Sequence, residues 1–422
     1  MTRGGAAGRP AASTVEDPAG AAGVTLRWAG AAALVAVVAG QAPPLLANVT
    51  GAGLAVSTQV RAGWLYTMAG HAASVEIAGA SRSLDGVAGG TFSIRFGFLS
   101  IAVLAGAVLA VGSRAAARRV GDAGARRAVV GATIAVPYAI ALGVVNLLVT
   151  LRLEPGGAFL GSPTSISVPA WEGFVLPAAL AVVVGALGGW SVSRSWRGSV
   201  GRVAVAGLRS FTWALGLALV GLLAFAALRP AGLERYATEV WSAGTPRAAL
   251  YLGHQTLLLP NAAVWVLAPA MGGCVTIRDD GAARDLVCLD RLPRGPDPPA
   301  WLLSELGRVE GESPTTPAPV AAWIFVFVPA AAIVLGVRTL GPVASSWRSA
   351  FAMGAAAGAV FALAVTVVSL AASLWFSSDG NVEARLVALG PDPVTTGVLA
   401  LAWGVVGGVA VSVASRRFSP RG

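Results

Sequence analysis

Eight stretches of this 422-residue chain are long and apolar enough to cross a bilayer as helices, with no internal Asp, Glu, Lys, Arg or His. They run over 29–48, 96–112, 128–150, 174–192, 211–228, 320–337, 350–376 and 394–414. A hydrocarbon core about 30 Å thick needs about 20 apolar residues at a rise of 1.5 Å each. Helices are the natural solution, because backbone polar groups in lipid must be satisfied within the segment. A barrel would show alternating strands of about ten residues, and these runs are apolar on all sides. Composition agrees: 12% of residues are charged, against about 25% in a soluble domain. The expected fold is an all-α polytopic transmembrane bundle of about eight spans.

Arginine placement predicts the orientation. With the N-terminus inside, the interior segments hold 17 of the 30 arginines, including the Arg114–Arg127 cluster, but only three acids, Glu16, Asp17 and Asp122. Basic residues collect on the cytoplasmic side of bacterial membrane proteins, so both termini are expected in the cytoplasm of a plasma-membrane protein. The net charge of +10 then reads as attraction to anionic inner-leaflet lipids. No aromatic-interleaved basic face argues for nucleic acid.

Two further apolar stretches, 52–78 and 248–273, carry Gln59, Arg61, His71 and Glu76, and His254, Gln255, Pro260, Asn261 and Pro269. As spans they would move arginine clusters outside, so they are expected to be broken helices, re-entrant or interfacial, on the outer side. A cut near residue 203 yields two membrane halves, 29–203 and 204–422, each with four spans and one such segment. A parallel 4+4 pseudo-repeat follows, supported by the echo of Arg61, Tyr66 and Gly70-His71 in Arg247, Tyr251 and Gly253-His254. Residues 1–28 read as a disordered cytoplasmic tail. The loop 273–319 reads as a partly ordered external cap. Pro43-Pro44 and the long polar lead favour an uncleaved first helix over a signal peptide.

The chain has no lysine, which excludes a Walker A phosphate loop and Schiff-base chemistry. Cys274 and Cys288 lie in the external loop and are expected to form a disulfide. Two thiols without a loop histidine do not complete a zinc site. His71, Glu76, His254 and Asn261 are the candidate polar site, able to bind or relay protons if the two broken segments meet. Otherwise they are interfacial groups with ordinary backbone partners. Asn261 follows Pro260, where it could satisfy carbonyls freed by the proline or cap a helix. No central charge marks a proton path. Gly354 with Gly358 and Gly404 with Gly408 allow close helix approach. No catalytic motif is present, no cofactor is implied, and an enzyme is not expected.

The Leu-Pro-Asn of residues 259–261 leads an apolar, Trp-containing run that ends in Gly-Gly at 273. This stretch, with residues 89–100, resembles elements of uncharacterised polytopic membrane proteins of actinobacteria. The resemblance covers about a tenth of the chain and implies no activity. Two functions stay open: a permease-like or channel-like protein using the broken segments, and a non-catalytic scaffold or accessory subunit of cell-envelope machinery.

Overall fold

The structure is a computed structural model. It describes residues 17–417 apart from 84–85, 122, 154–163, 194–195, 197, 228–237, 239–240, 243, 280–281, 290, 294–314, 318–319 and 381–384. Eight helical segments are long and apolar enough to span a membrane, and the protein is a multi-pass membrane protein. In the first half, α1 (Pro18–Ala47) leads through a π turn (Asn48–Ala52) into α2 (Val56–Ala69). Then come α3 (Leu99–Ala117), the pair α4 (Gly124–Ala132) and α5 (Ala135–Leu148), and α6 (Ala170–Trp190). The second half holds α7 (Ser199–Ala227), α8 (Thr245–Ala270), α9 (Phe327–Val337), α10 (Trp347–Ala372) and α11 (Pro393–Arg417).

The bundle is built inside-out relative to a soluble protein. On α1 the buried positions are small, among them Ala29, Ala32, Ala36 and Gly40, while Leu26, Leu34 and Val38 face outward. Lipid solvates Leu and Val well, so small residues go where backbones approach. The glycines of α10 and α11 serve this end within the chain. A Cβ on Gly358 would sit 2.1 Å from the Gly404 carbonyl carbon, and one on Gly354 would sit 2.4 Å from the Gly408 oxygen. Gly131 on α4 and Gly185 on α6 meet in the same way.

The expectation of an all-α fold is corrected by a sheet. Hairpins follow α2, α5, α8 and α10: β1 (Ser74–Ser83) with β2 (Gly86–Arg95), β3 (Leu151–Leu153) with β4 (Thr164–Ser167), β5 (Cys274–Asp279) with β6 (Ala282–Cys288), and β9 (Leu374–Gly380) with β10 (Arg385–Pro391). They join in one eight-stranded sheet of order β3-β4-β1-β2-β9-β10-β5-β6, antiparallel at every pairing. A small ladder of β7 (Arg291–Pro293) and β8 (Thr315–Pro317) stands apart. Because spans alternate in direction, all four hairpins emerge at the same end of the bundle, opposite the arginine-rich turns. The strands alternate with period two: Val75, Ile77, Phe92, Ile94 and Phe376 share one face, while Glu76, Ser93, Arg95, Ser167 and Ser377 share the other.

Several element boundaries differ from expectation. Helix α1 starts at Pro18, inside the expected tail, because Asp17 caps it by accepting from Gly20 N and pairs with Arg119. Residues 374–376 continue as β9, with Ser373 extended, where the sequence predicted helix. Glu76 lies in β1 and not in a helix. Helix α8 runs unbroken through Pro260 and Pro269. The expected loop 273–319 opens as the β5–β6 hairpin, with Cys274 and Cys288 opposite each other at a Cα separation of 4.5 Å and in disulfide contact; 294–314 lies outside the described residues.

Neither 52–78 nor 248–273 is among the helices long and apolar enough to cross a membrane. Helix α1 contacts Arg119 at one end and Thr67 at Ala36, and its remaining residues to Ala47 run about 17 Å beyond that level. Gly51 and Gly53, both at positive φ, reverse the chain where side chains would be strained. Helix α2 then folds back along the projection, and Gln41 Nε2 donates to Val60 O at 3.0 Å.

Candidate functional site

Most of the buried polar groups, His71, Asn146, Glu172 and Asn261 among them, lie where the bundle meets the sheet. Pro137 lacks the N–H that would bond Thr133 one turn back, and the third span breaks between α4 and α5. The break presents Tyr138, fully buried. Its hydroxyl donates to His71 Nε2 at 2.6 Å, while His71 Nδ1 donates to the Thr67 carbonyl at 2.8 Å. A carbonyl only accepts, so Nδ1 carries a proton, and in the neutral ring that burial favours Nε2 accepts from the Tyr138 hydroxyl. Burial pulls the imidazole down from 6.5 to about 4. Both ring nitrogens are thus occupied.

His254 occupies a different environment. On α8 it meets Tyr66 of α2 and Phe98 edge-on, with ring centroids 5.8 and 5.1 Å away, and its Nδ1 lies 3.4 Å from the Tyr66 hydroxyl. Burial lowers its pKa also. Tyr66 and Phe98 are themselves in contact at 5.3 Å. The two expected outer segments do meet, through packed aromatic rings. The two histidines have separate partners, however, and Glu76 sits on the sheet between Ser93 and Ser167.

Asn261 has the most informative position. Its Oδ1 accepts from Leu99 N at 3.2 Å and its Nδ2 donates to Gly97 O at 2.6 Å. It caps a helix, as an Asn after a proline could, but the helix is α3 of the other half. Ser100 Oγ adds a bond to Leu257 O at 2.8 Å. Helix α8 therefore ties the halves together at this end.

Sequence reasoning missed Glu172, the lone acid two residues before the apolar run 174–192. It is 2% exposed in the first turn of α6. Its carboxylate accepts from Ser74 N at 2.5 Å, from Ser74 Oγ at 2.7 and 2.8 Å, and from Arg95 Nη2 at 2.7 Å. A buried carboxylate with this many donors is held in a fixed geometry, and it locks the β1–β2 hairpin to the bundle. Its signal was an acid adjoining a span on the side poor in arginine.

Two indoles make matching contacts. Trp64 Nε1 on α2 donates to Asn146 Oδ1, near the end of α5, at 3.1 Å. Trp265 Nε1 on α8 donates to Ala372 O, the end of α10, at 3.0 Å. Asn146 also donates to Val168 O at 3.3 Å. By contrast, the echo of His71 in His254 is out of register. His71 precedes its first strand by three residues, and His254 precedes its own by twenty.

As metal ligands, the candidate residues do not assemble. Among the described residues, the one grouping of three His, Cys, Asp or Glu ligand atoms within 4.8 Å is Cys274, Asp285 and Cys288. There the sulfurs are bonded to each other and offer no thiolate. What the junction can do chemically is bind and position: its polar atoms are spent on holding strands and helices together. Comparison with family models, curated proteins and solved structures finds no match to this chain.

Proposed function

We propose that this protein is a non-catalytic membrane scaffold or accessory subunit of cell-envelope machinery. The bundle holds an eight-stranded sheet at the outer surface of a bacterial plasma membrane, with the arginine-rich end and both termini in the cytoplasm. One observation carries the reading: both halves contribute hairpins to a single continuous sheet. Support also comes from the polar side chains beneath it. His71, Glu172 and Asn261 are bonded to strands and helix ends, in the manner of fixed supports.

The halves are read as tandem copies in a parallel repeat. In each, the second hairpin lies beside the first in the same order, β3-β4-β1-β2 and β9-β10-β5-β6. In each, an indole of the folded-back helix bonds the end of the third span, and the last two spans close on glycine. Repeats of this kind also build carriers, so the tandem halves favour a second reading, a permease-like or channel-like protein.

Reconstitution in liposomes separates the two. The scaffold reading predicts no solute flux, and discrete protein adducts in cells when a photo-crosslinker replaces Ser93 or Ser165 on the sheet. Saturable flux carried by the purified protein, lost on Asn261→Ala or His71→Ala, would overturn it.

A further inference from the structure

At the arginine-rich end the two halves part around a cleft of about 660 Å³. Arg114 comes from the last turn of α3, Arg209 and Trp213 from α7, Trp196 from the α6–α7 connection, and Arg338 caps α9. Thr212 completes a polar wall, and no acidic residue lines the space among the described residues. Arg114 lines the cleft while its Nε donates to Ser191 Oγ at 3.0 Å, and its terminal nitrogens have no hydrogen-bond partner among the described residues. Arg209 and Arg338 have no carboxylate within ion-pair distance among the described residues.

Three guanidinium groups around one space repel each other unless an anion joins them. Guanidinium presents paired N–H donors that match phosphate oxygens. The depth of the cleft also matters. Arg209 lies about 15 Å along α7 from its start at Ser199, level with the end of α9, and Trp213 lies one turn deeper and 45% exposed. Indoles favour the headgroup level of a bilayer, where one edge is wet and the other meets acyl chains. The geometry points to a binding site for the phosphate headgroup of an anionic phospholipid, seated between the halves with its chains along Trp213. At the far end the halves are joined by the β2–β9 ladder and Asn261; here the lipid supplies the joint.

The test uses the full chain purified in a neutral detergent. Adding phosphatidylglycerol is expected to raise the melting temperature by several degrees, where phosphatidylcholine does not. R209Q/R338Q should weaken the phosphatidylglycerol effect at least tenfold in concentration. R27Q/R348Q, which removes the same charge elsewhere, should leave it unchanged. T212W, which fills the cleft at constant charge, should also abolish the effect and serves if the arginine pair fails to fold. Equal loss in both double variants would reduce the effect to bulk charge and overturn the site. So would an equal shift from inorganic phosphate, which would make it a free-anion pocket, or no shift with the wild-type chain.

Discussion

At the scale of single residues, the junction is built from side chains that each close one local deficit. Asn261 supplies an acceptor to Leu99 N, which as the first residue of α3 has no partner in its own helix. Glu172 gives Ser74 and Arg95 a common acceptor. His71 yields the clearest prediction. Its folded-state pKa of about 4 lies below the 6.5 of a free imidazole, so between these values protons bind the unfolded chain preferentially. The contribution is full above pH 6.5 and is lost as pH falls towards 4, by about 3 kcal/mol at most. Thermal unfolding of purified protein between pH 7 and 4.5 should show this fall, and His71→Gln should flatten it. A variant as pH-sensitive as the wild type would show that the ring does not titrate in this way. None of these partners was legible in the sequence. His71 and Asn261 were visible and Glu172 was not, and the partners of all three lie 67, 98 and 162 positions away.

The elements divide by how local their signal is. All eight spans could be read from 17 to 27 consecutive uncharged residues, since solvation by lipid is decided segment by segment. The sheet could not. Its central pairing joins Gly90–Arg95 to 375–380 across almost 300 residues, and strands rich in Gly, Ser and Ala carry little local preference. Pro260 suggested a break because proline removes one bond. Helix α8 nevertheless continues, embedded between α1 and α7 with Gly253 against Pro43. Glycine packing belongs at this scale too. With the Gly404 carbonyl in the way of any Cβ on Gly358, Gly358→Ala should destabilise the protein by about 1–3 kcal/mol. Gly216→Ala, with nothing within 4 Å of its Cβ position, should be neutral or stabilising by up to about 1 kcal/mol. Unfolding in detergent compares the two directly, and an equal effect would refute the close α10–α11 contact.

For the whole molecule, charge and topology agree. The loops that hold 17 of the 20 acids carry the hairpins, and the arginine-rich turns lie at the opposite end. In intact cells, an impermeant reductant followed by an impermeant maleimide should label Cys274 and Cys288, while Arg119→Cys should remain unlabelled. The opposite pattern would invert the protein. The most direct test of the shared sheet is a cross-link between the halves. Ser93 and Ser377 are paired residues of β2 and β9, and Cα atoms of such pairs lie about 4.5–5.5 Å apart, within disulfide range. With a protease site inserted between α6 and α7, S93C/S377C should keep the cleaved halves joined on a non-reducing gel until reductant is added. S165C/S377C, three strands apart, should not. If S93C/S377C separates on cleavage like the control, the halves do not share a sheet.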